Sequence, residues 1–413
     1  MKILFSVHGY KPAWRIGGPI ISVSSLAESL VERGHDVTVF TTDSNLDQTL
    51  DVPTDRVVNV EGVKVRYFRR RPLIPARGPR VAYLSKSVGF LYAPELKAAL
   101  DERVPSVDLV HTHLPFVYPT YAAAHAAFRY GKPLFYHQRG VFDPERLKFR
   151  SFKKTMYLKL VEVPILRRAE MLIALTEAER SSYTRLGVTT PVRVIPNGID
   201  TQPYSHPPSL DDLALLGIRP QHRLVLFLGR LHPIKGADRL LEAFVRIARH
   251  HPDALLILAG PDEFSIEQTF RASAEAAGVG GRVLFPGMVS GSLKHSLLAR
   301  ADLFCLPSDA EGFSMAVLEA LASRTAVLLT PGCHFQEVEQ YGAGMIVANN
   351  VSALASALDQ LVASPELLAE MGARGQRLVA ERFTWERITD DIADVYEEGI
   401  ARHALGRSRH VVP

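Results

Sequence analysis

Apolar positions in this chain fall into two kinds of run. Short, mostly apolar blocks occur at Ile3–Val7, Val37–Thr41, Val107–His111, Leu134–His137 and Met171–Leu175. Blocks of that length without internal polar periodicity predict strands buried on both faces. Between them Ser22–Arg33, Tyr121–Tyr130 and Glu177–Leu186 repeat their apolar positions at the spacing of a helix. The pattern restarts after residue 218. Leu224–Leu228, Leu255–Ala259, Val283–Phe285, Leu303–Leu306 and Ala326–Leu329 are strand-like, and Leu240–Arg249, Ile266–Ala277, Gly291–Ala299, Ser314–Ala322 and Val351–Leu361 are helix-like. Strand–helix alternation predicts a parallel sheet covered by helices on both sides. The proline-rich stretch Thr201–Pro208 separates the two series. The expectation is an α/β protein of two Rossmann-like, doubly wound domains facing a cleft: residues 1–203, a linker at 204–218, and residues 219–384. A last helix over 385–405 and a tail over 406–413 follow.

Bulk properties narrow the class. A chain of 413 residues, 47% of them hydrophobic, can bury two cores, which excludes a disordered protein. Two cysteines, Cys305 and Cys333, give neither a disulfide framework nor repeated metal spacing, and fit a reducing, cytoplasmic setting. The apolar start is short for a signal peptide, and no uncharged stretch approaches the roughly 20 residues of a membrane span. Net charge is +4, but residues 1–200 carry +10 and the remainder −6. A basic first half suggests an anionic partner.

The second half carries the chemistry. Arg230 and Lys235, five residues apart in Gly229–Gly236, follow a strand, and two cations on such a loop suit a diphosphate. In Glu311-Gly312-Phe313-Ser314-Met315, Gly312 permits a tight turn, and the amides of Phe313, Ser314 and Met315 open a helix, a natural anion site. Glu311 and Glu319 are carboxylates able to accept pairs of sugar hydroxyls. The plainer alternatives are a solvated loop, a helix-start charge for Glu311 and an exposed helix position for Glu319.

Together these segments resemble glycosyltransferase family 4, the "group 1" enzymes of GT-B fold. Asp302–Ser308, Pro196–Asp200, Gly332–Glu337, Gly17-Gly18-Pro19 and His111-Thr112-His113 match as well, so the likeness covers nearly the whole chain. The resemblance implies a retaining hexosyltransferase that moves a sugar from a nucleotide diphosphate donor, UDP- or GDP-linked, by a front-face mechanism. It implies that Arg230 and Lys235 hold the diphosphate, Glu319 the ribose, and Glu311 the transferred sugar with the amides at Phe313–Met315. The backbone at Gly18 approaches phosphate, and His113 lies near the reacting carbon, with His111 structural. It implies no cofactor and no metal, the leaving group being met by cations and amides. Among carboxylates, Asp390-Asp391 falls on a late amphipathic helix rather than in a metal-binding loop. The last helix of the family crosses back to the first domain, with Trp385 as its packing anchor. The chain departs from the family at Ala322–Ala326, where Arg324 stands in place of a turn glycine and is expected to strain it.

Other features stay open at this level. Arg139, in Tyr136–Gly140, meets either the donor phosphate or an acidic acceptor, or is a surface arginine. Arg69–Tyr92 and Leu147–Arg168 mix cations with aromatic and aliphatic residues. They read either as faces for an anionic membrane or as amphipathic core helices with basic outer sides. The acceptor is a glycan, a lipid-linked intermediate or a small molecule. Competing readings are a GT-B sugar-nucleotide epimerase, a glycogen-type phosphorylase, and a non-catalytic anion- or nucleic-acid-binding protein. The basic half lacks a recognition helix or interleaved stacking aromatics, so nucleic acid is not expected as a partner.

Overall fold

The computed structural model describes the chain apart from residues 47, 72–89, 145–151, 208 and 410–413. Leu73, Ile74, Arg77, Arg80, Tyr83 and Lys86 of the first basic-apolar stretch therefore lie outside the described residues, as do Leu147, Lys148, Phe149 and Arg150 of the second. The chain divides into two compact units, Met1–Gly198 with Trp385–Pro413, and Ile199–Thr384.

In the first unit, β1 (Lys2–Ser6), β2 (Asp36–Thr42), β5 (Val57–Val60), β6 (Val63–Phe68), β7 (Leu109–His113), β8 (Leu134–His137), β9 (Met171–Ala174) and β10 (Val192–Val194) form one sheet in the order β10-β9-β8-β7-β1-β2-β6-β5. Every pairing is parallel except the β5–β6 hairpin. A two-residue antiparallel pair, β3 (Ser44–Asn45) with β4 (Gln48–Thr49), stands apart. Strand order reverses between β1 and β7, and the chain leaves both strands there at their carboxyl ends, where open α/β sheets bind ligands. Sequence pattern missed β5, which has no fully buried position, and β6, which begins by alternating buried and exposed positions rather than running apolar.

The last helix, Trp385–Arg409, belongs to this unit and runs past residue 406, where a tail was expected. It is held by Arg33 Nε to Asp390 Oδ1 at 2.6 Å and by Thr389 Oγ1 to Ser29 Oγ at 2.9 Å. Its start rests on Gly198, where any Cβ would run into the buried Trp385 ring.

The second unit has six parallel strands: β11 (Arg223–Leu228), β12 (Ala254–Ala259), β13 (Val283–Gly287), β14 (Leu303–Leu306), β15 (Ala326–Leu329) and β16 (Gly344–Ile346). Their order is β13-β12-β11-β14-β15-β16, so the reversal lies between β11 and β14. The stretch read as a linker, 204–218, belongs to this unit and includes a short helix, Leu210–Ala214. Ser209 caps that helix by accepting from the Asp212 amide.

Candidate functional site

The reversal point of the second sheet gathers the charged residues singled out in sequence. The loop after β11 makes a 3-10 turn at Pro233–Lys235 and then enters the helix Ala237–Ile247 through Gly236 at φ +71°. A Cβ on Gly236 would strike the Pro307 carbonyl, so glycine is required for the loops after β11 and β14 to touch. The contact is fixed by the Asp309 amide and the Ser308 hydroxyl, which both donate to the Ile234 carbonyl at 2.8 and 3.0 Å. Lys235 is thereby aimed at Glu311. Its Nζ donates to both carboxylate oxygens, at 2.6 and 2.8 Å, with both side chains largely shielded from water. Glu311 is buried, so it is not a solvated helix-start charge. Arg230 stands differently: it is half-exposed and ion-paired with Glu263 at 2.8 Å.

Gly312 stands at a bend of the chain without entering the left-handed region, which Gly236 does enter. The helix beyond begins at Met315, with Ser314 as N-cap and no side-chain cap on its amides. Uncapped first-turn amides are orphan donors that suit an anion. Phe313 serves as a packing residue, its ring 5.0 Å from that of Phe335 and 5.8 Å from Phe383. At the far end Arg324 does hold a left-handed turn, φ +62°, as the missing glycine predicted.

Glu319 is buried on the same helix rather than exposed. Lys294, on the helix Gly291–Arg300, donates to its Oε1 at 2.7 Å. The Tyr204 hydroxyl interacts with the same carboxylate; burial first, then Glu319, push the phenol well above its usual range. Sequence reasoning passed over Lys294 and Tyr204. Neither sits in a motif, and each reaches Glu319 only through the packing of its element.

In the first unit, the corresponding reversal point holds a buried basic cluster. His113 ends β7 and is fully enclosed. Arg139, just after β8, is buried at φ +52°, which overturns the reading of a surface arginine. Its guanidinium donates to His113 Nδ1 (3.1 Å), Ser22 Oγ (2.9 Å) and Asn197 Oδ1 (3.0 Å). Burial lowers its pKa to about 10. His8 is lowered to about 4 by burial and by the Arg139 charge, and the same causes hold His111, His113 and His137 well below the usual imidazole range. His111 is tied to the last helix, its Nδ1 2.6 Å from the Tyr396 hydroxyl.

His111, His113 and His137 bring ring nitrogens within 4.8 Å of one another. The donor set does not suit a cation, however. Because Arg139 donates to Nδ1 of His113, the proton of this neutral ring sits on Nε2, which leaves a metal no lone pair, and the guanidinium charge lies alongside. The helix Gly18–Glu32, whose Ser22 accepts from Arg139, begins with Gly17 as N-cap at φ +88°, ψ −147°, a conformation close to glycine-only. Gly18 is exposed at its start and its amide carries no side-chain cap, whereas Pro19 has no N–H and the Ile20 amide donates to the Gly17 carbonyl.

Two family models match the chain in adjoining stretches. Residues 16–203 match the model described as Glycosyltransferase Family 4, and residues 213–378 the one described as Glycosyl transferases group 1. A D-inositol 3-phosphate glycosyltransferase of Saccharomonospora viridis is 26% identical over 399 residues, 93% of this chain and 90% of that one. The lipopolysaccharide core biosynthesis mannosyltransferase LpcC of Rhizobium leguminosarum is 30% identical over 263 residues, 61% of this chain and 71% of its own. Among solved structures, Anabaena HepE in complex with UDP shares the fold with a TM-score of 0.74 at 22% identity, covering 96% of this chain and 100% of its own.

Proposed function

The chain belongs to the family 4, group 1 glycosyltransferases, and on that premise we propose that it transfers a hexose with retention from a nucleoside diphosphate donor, without a metal ion. The observation that carries this reading is the juxtaposition at one sheet reversal of Lys235, Glu311 and the uncapped helix start at Met315. A diphosphate leaving group needs positive charge that is already in place, and a cation beside orphan amides supplies it without a divalent ion. Arg230, half-exposed beside Glu263, joins Lys235 by exchanging partners. Glu311 passes from Lys235 to the hydroxyls of the transferred sugar, and Glu319 accepts from the ribose. Arg139 supports an anionic group of the donor or acceptor: its three hydrogen bonds all go to neutral acceptors, so its buried charge has no contacting carboxylate among the described residues. His113 keeps a neutral ring with its N–H on Nε2, suited to donating to a sugar oxygen.

The deciding experiment is a thermal-shift screen over UDP-, GDP- and ADP-sugars, repeated with a chelator. A ligand that binds only the folded state raises the melting temperature by mass action. One nucleotide family should stabilise the protein with and without chelator, and donor turnover should survive chelation. Loss of turnover that Mg²⁺ or Mn²⁺ restores would overturn the metal-free reading.

The acceptor reading is a lipid-linked or polysaccharide intermediate, reached at an anionic membrane surface. Two features support it. Phe152, Met156 and Leu160 are exposed at helical spacing in the stretch 152–168, and Lys153, Lys154 and Lys159 are exposed among them. No described helix is long and apolar enough to cross a membrane, so contact would be peripheral. Sedimentation with liposomes of graded anionic content should show binding that weakens in the Lys153→Glu, Lys154→Glu double variant. No binding to strongly anionic liposomes at low salt would favour a soluble acceptor.

A further inference from the structure

The surroundings of Glu319 carry one step more, resting on the donor reading above. An ionised carboxylate offers about four acceptor positions. Lys294 fills one, at 2.7 Å from Oε1, and the Tyr204 hydroxyl interacts with the same carboxylate. Two remain, the number that a vicinal diol needs. The two donors come from separate elements, the helix Gly291–Arg300 and the 3-10 turn Gln202–Tyr204. The Tyr204 ring packs edge-on against His295, at 5.1 Å, beside Lys294. The Ser209 amide donates to Ser296 Oγ at 2.9 Å, and Ser292 Oγ donates to Asp212 Oδ2, clamping the segment that carries Tyr204 onto the helix that carries Lys294. Lys294 and Glu319 are both largely shielded from water, so neither charge is satisfied by solvent and the pair stays together.

We propose that Lys294 and Tyr204 are positioning residues for the donor nucleoside: they hold the Glu319 carboxylate as an oriented acceptor whose two remaining positions receive the 2′- and 3′-hydroxyls of the ribose. Neither residue touches the nucleotide. A buried carboxylate free to rotate would meet the diol in one orientation among several, and charge-assisted hydrogen bonds lose most of their strength when misaligned. Their removal therefore affects diol recognition and leaves contacts to the base and diphosphate alone.

The test compares binding of UDP with that of 2′,3′-dideoxy-UDP by titration calorimetry on the full chain. If the wild type prefers guanine, the guanosine pair is used. The wild type should prefer the ribonucleotide by on the order of 10²-fold, two charge-assisted bonds at roughly tenfold each. In Lys294→Met that ratio should fall to about tenfold or less, through weaker ribonucleotide binding and unchanged dideoxynucleotide binding. Lys294→Arg should keep most of it, and Tyr204→Phe, which retains the ring, should lower it several-fold. An unchanged ratio in both Lys294→Met and Tyr204→Phe overturns the proposal. Equal weakening of both ligands also overturns it and makes the residues merely structural. If Lys294→Met does not fold, Tyr204→Phe decides by the same ratio. Absence of binding of UDP, GDP and ADP to the wild type would instead defeat the donor reading itself.

Discussion

The two sheet reversals handle buried charge in opposite ways. In the second unit every enclosed carboxylate of the site already has a lysine: Glu311 with Lys235, Glu319 with Lys294. In the first unit the enclosed cation, Arg139, leans on a histidine, a serine and an asparagine, in a basin of four imidazoles kept neutral. On the proposed reading Lys235 and Glu311 part when the donor arrives, whereas Lys294 stays on Glu319 and orients it. The geometry of both pairs is set beforehand by attraction. A buried cation that no carboxylate contacts, and that Glu179 supports only through space, can still take an anion. The difference teaches that two reversal points of similar sheet topology settle their buried charges by different electrostatics.

Removing Lys235 should have the largest effect. On the proposed reading Lys235→Ala takes away a transition-state charge partner and leaves Glu311 buried without its lysine, so turnover should fall by more than about 10²-fold in a donor-consumption assay. Turnover within a few-fold of the parent would show that the pair is structural and would dissolve the contrast.

Arg139→Met tests the other half. Turnover should drop by about tenfold or more, and the protection that pyrophosphate gives against thermal unfolding should shrink with it. If turnover falls but pyrophosphate protects as before, Arg139 serves His113 rather than an anion.

The histidine basin adds a pH signature of its own. His8 titrates at about 4 when folded and near 6.5 when unfolded. Between those values the unfolded chain binds the extra proton, so stability rises with pH and is lost as pH falls from about 6.5 toward 4. The other three histidines act in the same direction. Denaturant titrations across that window should show a slope that decreases in His8→Gln by up to about 1.4 kcal/mol per pH unit. An unchanged slope would place His8 outside the neutral basin.

The smallest effect compares two arginines in left-handed backbone, Arg139 at φ +52° and Arg324 at φ +62°. Arg324 only ends the helix that carries Glu319, its amide donating to the Leu321 carbonyl. Arg324→Gly relieves a non-glycine residue of that conformation and should stabilise by about 0.5–1 kcal/mol with turnover intact. Arg139→Gly should cost turnover instead. Chemical denaturation and initial rates on the two variants separate strain that serves a site from strain that does not.

Much of this molecule was legible before any coordinates. Strands β8, β14 and β15 fall on the apolar runs to the residue, because a parallel strand covered on both faces has to be continuously apolar. Helices spread further from expectation at their starts. The Gly18–Glu32 helix begins four residues before Ser22, since glycine and proline in its first turn conceal the period. The pairing of Lys235 with Glu311 was half legible: motif and resemblance put both residues at the donor, but not against each other.

What the sequence by itself determined was local. It set the periods that make strands and helices, the glycines that let loops turn, and the residue types able to meet phosphate and hydroxyls. Tertiary structure alone decided which charges are enclosed and with whom. Glu319 and Lys294 are 25 positions apart on different helices, and Tyr204 lies on a third element. Arg139 looked as much like a surface residue as a site residue until the turn after β8 folded it inward beside His113, Ser22 and Asn197. The physical reason is range. Backbone propensity acts over a turn or two of chain, whereas the charge and hydration of a buried group are fixed by whatever the fold brings within a few ångströms, at any separation in sequence.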